Sequence, residues 1–204
     1  RSLTLVPSST PVFVSVSWDK SVKYWATSSP TPVLVLQMPE RVYDMDSAGK
    51  LLVVATADRH FQVVDLNNPL QVFKNMTSAL KWQTRCVSCL PTGDGFAIGS
   101  IEGRCAIVYI DDQRQKVEGF LFRCHRKTQA GGNPNSLKAT GDVQVYAINL
   151  ISFHAQYGTF LTAGSDGTFC YWDGHKDARQ RLKFFPNVNS PITSACFNKT
   201  GTIF

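Results

Sequence analysis

Cys86 and Cys89 stand three residues apart, and Cys124-His125 follows further along. Thiolates and an imidazole are the ligand types of a zinc centre. Both cysteines fall within one strand pattern, however, where residues i and i+3 face opposite sides and cannot share an ion without a bulge. No second close pair exists, so the expectation is no metal. Ser165-Asp166 with His154 supplies the residue types of a hydrolase triad but lacks a Gly-x-Ser-x-Gly elbow. There is also no Gly-x-x-x-x-Gly-Lys loop to cradle a phosphate. Nothing in these constellations asks for a catalyst or a cofactor, and the chain is expected not to be an enzyme.

Charge points instead to binding. The formal net charge is +6, and much of it sits in two segments. From Gly119 to Gly141 no acidic residue occurs, while Arg123, Arg126, Lys127 and Lys138 add four cations. A second stretch, residues 175 to 183, carries Lys176, Arg179, Arg181 and Lys183. Arginine suits bidentate pairing with carboxylates or phosphates. Acidic peptides and RNA backbones both present such groups, so charge alone does not separate the two partners. Arg123, Lys127, Lys138, Lys176, Arg179, Arg181 and Lys183 form the candidate RNA-binding basic surface.

The elements that must position these residues come from an internal repeat. A small-residue pair is followed by an acid, and six residues later a Trp or Val ends a strand-like run. The copies centre on Asp19, Asp58, Glu102 and Asp166, which lie 39, 44 and 64 residues apart. The first two intervals match a WD-type propeller blade, and the third is a blade with an insertion. Each unit alternates apolar and polar residues between Gly, Asp and Pro turns, the pattern of half-buried antiparallel strands. No helical periodicity of 11 residues accompanies it. The expected fold is all-β, a WD-repeat β-propeller, with the middle blades of a seven-bladed ring incomplete at both ends. The expected units are 1–27 (partial blade), 28–66, 67–117, 118–181 with a basic loop insertion at 123–142, and 182–204 (partial blade).

Aligning the copies places Val22, Phe61, Cys105 and Phe169 three residues after the acid, and Tyr24, Val63, Ile107 and Tyr171 five after it. Residues two apart share a strand face, so both columns should pack against the next blade. Asp19, Asp58, Glu102 and Asp166 are expected to lock turns by accepting backbone N–H bonds. Six cysteines spread through strands without a secretory leader suggest a reducing compartment. No apolar run approaches the ~18 residues of a membrane span, so no membrane insertion is expected.

Several words of the sequence are more specific than the repeat: Ser17-Trp18-Asp19-Lys20-Ser21-Val22-Lys23-Tyr24-Trp25, Pro39-Glu40-Arg41, Leu80-Lys81-Trp82-Gln83-Thr84-Arg85-Cys86, Ser100-Ile101-Glu102-Gly103-Arg104 and Phe122-Arg123-Cys124-His125-Arg126. Together with Gly132-Asn133-Pro134, Gly164-Ser165-Asp166-Gly167 and Lys176-Asp177-Ala178-Arg179, they resemble the Rae/Gle-type mRNA export factors of the nuclear pore. The Bub-type mitotic checkpoint propellers are closely related. Gly174-His175 departs from the family pattern as an insertion.

The resemblance implies a scaffold in the nucleus, at the nuclear pore and envelope, and also in the cytoplasm. It would clamp the GLEBS motif of a Gly-Leu-Phe-Gly nucleoporin and hold RNA without sequence preference. By resemblance, Arg104 and Arg126 pair with glutamates of that peptide, joined by His125 and Arg85. The alternative is a spindle-assembly-checkpoint protein holding GLEBS-type motifs of kinetochore proteins.

Overall fold

The computed structural model describes residues 2–6, 11–128, 142–175, 179–198 and 200–204. Strands β1 (Ser2–Val6), β2 (Val12–Val16), β3 (Ser21–Ala26) and β4 (Leu34–Gln37) form a first antiparallel sheet in chain order. A second holds β5 (Val42–Ala48), β6 (Leu51–Thr56), β7 (His60–Asp65) and β8 (Val72–Thr77). The third holds β9 (Thr84–Cys89), β10 (Gly95–Ser100), β11 (Arg104–Tyr109) and β12 (Phe120–Arg123), with helix α1 (Asp112–Glu118) between its last two strands. A two-stranded sheet of β13 (Arg126–Thr128) and β14 (Val143–Val145) precedes the fourth large sheet: β15 (Ile148–Phe153), β16 (Thr159–Gly164), β17 (Phe169–Asp173) and β18 (Gln180–Phe185). The chain is all-β in blades, as its repeat predicts.

Burial explains which strands look amphipathic. Every residue of β6 and of β10 is buried, because a middle strand is covered on both faces by neighbouring sheets. Such strands read as continuous apolar runs. The outer strands β4 and β8 alternate between half-buried and exposed positions instead. Along β6, Leu52 and Val54 join a core with Val14, Val22 and Met45 of the neighbouring elements. Val53 and Ala55 join another with Phe61, Phe96 and Ile98. One residue step therefore changes which seam a side chain fills. The two aligned columns behave in this way: Val22 and Tyr24, Phe61 and Val63, and Cys105 and Ile107 each fill the seam to the following sheet. Phe169 and Tyr171 pack toward Ile192, Ala195 and Phe197. Cys86 and Cys89 enter different cores, as opposite strand faces require.

The sheets and the sequence units are offset by one strand. The acid-to-Trp/Val run is the third strand of each sheet, and the strand that completes the sheet lies beyond it. The first sheet thus extends to Gln37 and the second from Val42 to Thr77. The two-turn helix α1 is too short to produce an 11-residue helical signal. Its N-cap, Asp111, accepts the Arg114 amide at 2.7 Å.

The first strands of successive sheets touch one another, β1 to β5, β5 to β9 and β9 to β15, so the sheets fan around a common axis. Carboxylates cross between these inner strands. Asp44 accepts the Val87 amide at 3.0 Å, and Asp46 accepts the Cys89 amide at 2.8 Å and the Ser88 hydroxyl at 3.2 Å. Amides two apart on β9 point off its free edge, away from β10. Acids of the neighbouring blade therefore occupy an edge that would otherwise be open.

Candidate binding site at the third blade seam

Backbone hydrogen bonds gather the repeat turns and the connections between sheets on one face of the fan. Ala57 N donates to Arg41 O, Ile101 N to Gln83 O, Cys124 N to Gly103 O and Ser165 N to Ala147 O. The basic residues singled out in the sequence concentrate where the third and fourth sheets meet.

At the base of this seam is a buried polar relay. His125 Nδ1 lies 2.9 Å from Asp166 Oδ1, and its Nε2 lies 2.9 Å from Thr162 Oγ1. Trp172 Nε1 donates to the same Thr162 hydroxyl at 2.9 Å. Thr168 adds its amide at 3.1 Å and its hydroxyl at 2.7 Å to Asp166. Burial by itself would raise the Asp166 carboxyl, but the His125 contact and the Thr168 bonds outweigh it and hold the group below the usual carboxylate range. The His125 side chain is 0% exposed. This corrects its expected place at a peptide surface: the ring offers no area to a partner and instead joins the connection after β12 to the fourth sheet.

Asp166 locks its turn as expected, and so does Asp19, which accepts the Ser21 amide at 3.0 Å and hydroxyl at 2.6 Å. Those Ser21 bonds hold the Asp19 carboxyl low. Asp58 is exposed and adopts the left-handed backbone itself, φ 61°. Glu102 has a different task. Its Oε1 lies 2.5 Å from Arg104 Nε and 4.0 Å from Arg126 Nη2, so it is the shared counter-ion of two arginines. The Arg104 contact is a charge contact without the alignment of a hydrogen bond.

Arg126 is turned inward. Its Nη2 donates to Glu102 O at 2.8 Å and its Nε to Gly103 O at 3.3 Å, leaving the side chain 9% exposed. Burial, with Arg123 and Arg104 nearby, pulls its ionisation below the usual arginine value. The arrangement needs Gly103: at φ 64° a Cβ would strike the carbonyls of Cys124 and His125. Arg126, expected to reach for a peptide glutamate, is thus already engaged by this turn. Arg104 is the more available of the pair, with its side chain 27% exposed.

Arg104 and Arg123 are direct cross-strand partners on β11 and β12. Like charges placed opposite each other are destabilising in a sheet. With Arg179 and Arg181 from the fourth sheet they line a cavity of about 530 Å³, floored by Phe122 and Trp172, whose rings lie 4.5 Å apart. Arg179 stacks over Phe120 at 4.7 Å and donates to the carbonyls of Val117 and Glu118. A second cavity of about 300 Å³ shares Arg181 and Trp172 and continues past Arg126 and Lys127 to Phe184.

Two candidate residues lie elsewhere. Arg85 faces Asn149 (3.4 Å) in a polar cavity between inner strands that also holds Asp44. Lys183 sits over Phe185 (4.8 Å), which stacks on Phe169 and belongs to the next seam. Lys138, Lys176 and most of the 123–142 insertion lie outside the described residues. Thr162, Tyr146 and Phe184 were not singled out in the sequence. Thr162 lies on β16, four residues before Asp166 in the turn that follows, a spacing that becomes informative once the His125 contact is known.

Such antiparallel four-stranded sheets, with turn acids on one face, define the blades of a WD-repeat β-propeller. Residues 135–173 match the WD domain, G-beta repeat family. The chain is 52% identical over 195 residues to the "mRNA export factor GLE2" of Chaetomium thermophilum, covering 96% of this chain and 51% of the relative. It is 50% identical to the "Poly(A)+ RNA export protein" of Schizosaccharomyces pombe, covering 95% and 51%. Identity to "Mitotic checkpoint protein BUB3.1" of Arabidopsis thaliana is 40%, covering 93% and 54%. Over nearly its whole length the chain is thus similar to Rae/Gle-type WD-repeat mRNA export factors, and more weakly to a checkpoint propeller. It spans about half the length of the curated relatives it matches.

Proposed function

We propose that this chain is part of a non-catalytic mRNA export adaptor of the nucleus and nuclear pore, which binds a GLEBS-type nucleoporin peptide and carries RNA. One observation carries this reading: Arg104, Arg123, Arg179 and Arg181 converge from two blades on one groove over an aromatic floor. Guanidinium forks of this kind recognise carboxylates and phosphates. The names of the two export relatives support the process, and the arginine groove supports an anionic partner. Arg104 is assigned to a glutamate of the peptide, because it combines exposure with an unaligned internal contact.

The checkpoint alternative is favoured only by the lower likeness to the BUB3.1 relative. Fluorescence anisotropy of the full-length protein with two labelled GLEBS peptides separates these readings. Preference for the nucleoporin peptide over one from a checkpoint kinase supports the export adaptor. The reverse preference overturns it.

A further inference from the structure

We propose that Thr31 is a phosphorylation site for a proline-directed protein kinase, carried on an open loop of the first blade. The inference is independent of the arginine groove and of the export reading.

The sequence holds four dipeptides in which a hydroxyl residue precedes proline: Thr10-Pro11, Ser29-Pro30, Thr31-Pro32 and Ser190-Pro191. A cleft that takes proline directly after the acceptor must do without an amide donor there and accept a fixed φ. That is the selection made by proline-directed kinases. Pro32-Val33-Leu34-Val35 adds no lysine or arginine after the acceptor, so the enzyme is one that asks for the proline alone, the MAP-kinase class.

The fold chooses among the four. Thr10 lies outside the described residues. Ser190 is held against the fourth sheet, where Val188 N donates to Gly167 O at 3.0 Å and Ile192 N to Gly164 O at 3.2 Å. Its carbonyl crowds Gly167, 2.6 Å from where a Cβ would stand. Ser29 is half-buried and its hydroxyl is occupied: it donates to Thr31 O at 2.8 Å and accepts the Thr31 amide at 3.3 Å.

Thr31 is exposed, and among the described residues its hydroxyl meets only Ser29 Oγ, at 3.5 Å. Pro30 and Pro32 flank it and have no N–H to give the sheet. The bonds that shape this loop, Ser29 N to Ala26 O (3.1 Å) and those between Ser29 and Thr31, are all local. Pairing with β3 resumes at Val33 N, which donates to Tyr24 O at 2.8 Å. Thr31 can therefore enter an enzyme cleft without costing the blade a strand pair.

In the transfer, Thr31 Oγ1 bonds to the γ-phosphorus of ATP as the bond to ADP breaks, and the hydroxyl proton passes to the kinase's catalytic aspartate. The product adds about −1.5 to −2 charge at pH 7. Residues 26–37 hold no lysine or arginine. Lys23, opposite Val35, is turned to Asp19 at 3.5 Å, and Lys20 is committed to Glu40 at 3.0 Å. The phosphate is thus displayed outward, at the end of the blade opposite its Asp19 turn, rather than absorbed by its own sheet.

The test incubates the full-length protein with an activated MAP kinase, ATP and Mg²⁺, and locates the phosphate by peptide mass spectrometry. Thermal melting checks the fold of each variant and of the product. Wild type should be phosphorylated at Thr31, Ser29→Ala should still be phosphorylated there, and Thr31→Ala should lose nearly all incorporation. The melting temperature should not change on phosphorylation. No incorporation into folded wild type would overturn the proposal, as would equal incorporation into Thr31→Ala. So would a phosphate mapped to Thr10, Ser29 or Ser190 with Thr31 unmarked. A fall in melting temperature on modification at Thr31 would contradict the outward display.

Discussion

His125 and Asp166, 41 residues apart in the chain, meet at 2.9 Å inside the seam between the third and fourth blades, neither side chain more than 3% exposed. Their contact ties the connection after β12 to the turn between β16 and β17, and the arginine groove lies directly beside it. Removing His125 leaves the buried Asp166 carboxylate with its Thr168 bonds alone and Thr162 without its imidazole partner, which costs about 1–3 kcal/mol. His125→Ala is therefore expected to lower stability by about that amount in urea unfolding, with peptide affinity in the folded fraction little changed. A stable variant with impaired peptide affinity would return His125 to the binding surface.

The same pair gives a pH dependence. The folded Asp166 carboxyl ionises below its ordinary value, so its contribution is fully present above the unfolded value of about 3.9 and is lost as pH falls through the lowered folded value. Urea midpoints should fall in that acid window. Asp166→Asn should flatten this component of the profile.

Asp44 and Asp46 have the opposite sign. Burial is the main cause that raises both above the ordinary carboxylate value, against the amide bonds from Val87 and Cys89. Their contribution is greatest below the unfolded value and is lost as pH rises through the raised folded value. Asp46→Asn keeps an acceptor for Cys89 N without a charge to desolvate, and is expected to match or exceed wild-type stability at neutral pH. Asp46→Ala leaves the Cys89 amide and the Ser88 hydroxyl without this partner and should cost about 1–3 kcal/mol. Equal melting temperatures for the Asn and Ala variants would show that the edge hydrogen bonds carry no weight.

Gly103→Ala tests the turn that engages Arg126. The added Cβ meets backbone carbonyls rather than a flexible side chain, and φ 64° is unfavourable for alanine. Destabilisation by more than about 1 kcal/mol is expected, read by thermal melting. Unchanged stability would mean that the turn can open at no cost.

Much of this architecture is legible in the sequence, because a blade repeats its constraints. The turn acids recur at blade spacing, and the two columns after each acid share one strand face and fill the same seam, as strand geometry dictates. The phase of the sheets is not legible. Nothing local to Leu34–Gln37 or Val72–Thr77 states which sheet those strands complete; backbone pairing to β3 and β7 decides it. The site is half visible. The charge-rich segments name Arg123, Arg179 and Arg181, but the opposition of Arg104 and Arg123 depends on strand register across an intervening helix. His125 and Arg126 resemble surface residues in the sequence because their neighbours are basic. Their partners, Asp166 and the carbonyls of Glu102 and Gly103, are supplied by the folded chain.

The most direct test of the adaptor reading is isothermal titration calorimetry of the full-length protein with a nucleoporin GLEBS peptide, comparing wild type with Arg104→Gln. The account predicts clear wild-type binding and at least a tenfold weaker Kd for the variant, with little change in melting temperature. Wild-type affinity in the folded variant, or no binding by either protein, would contradict it.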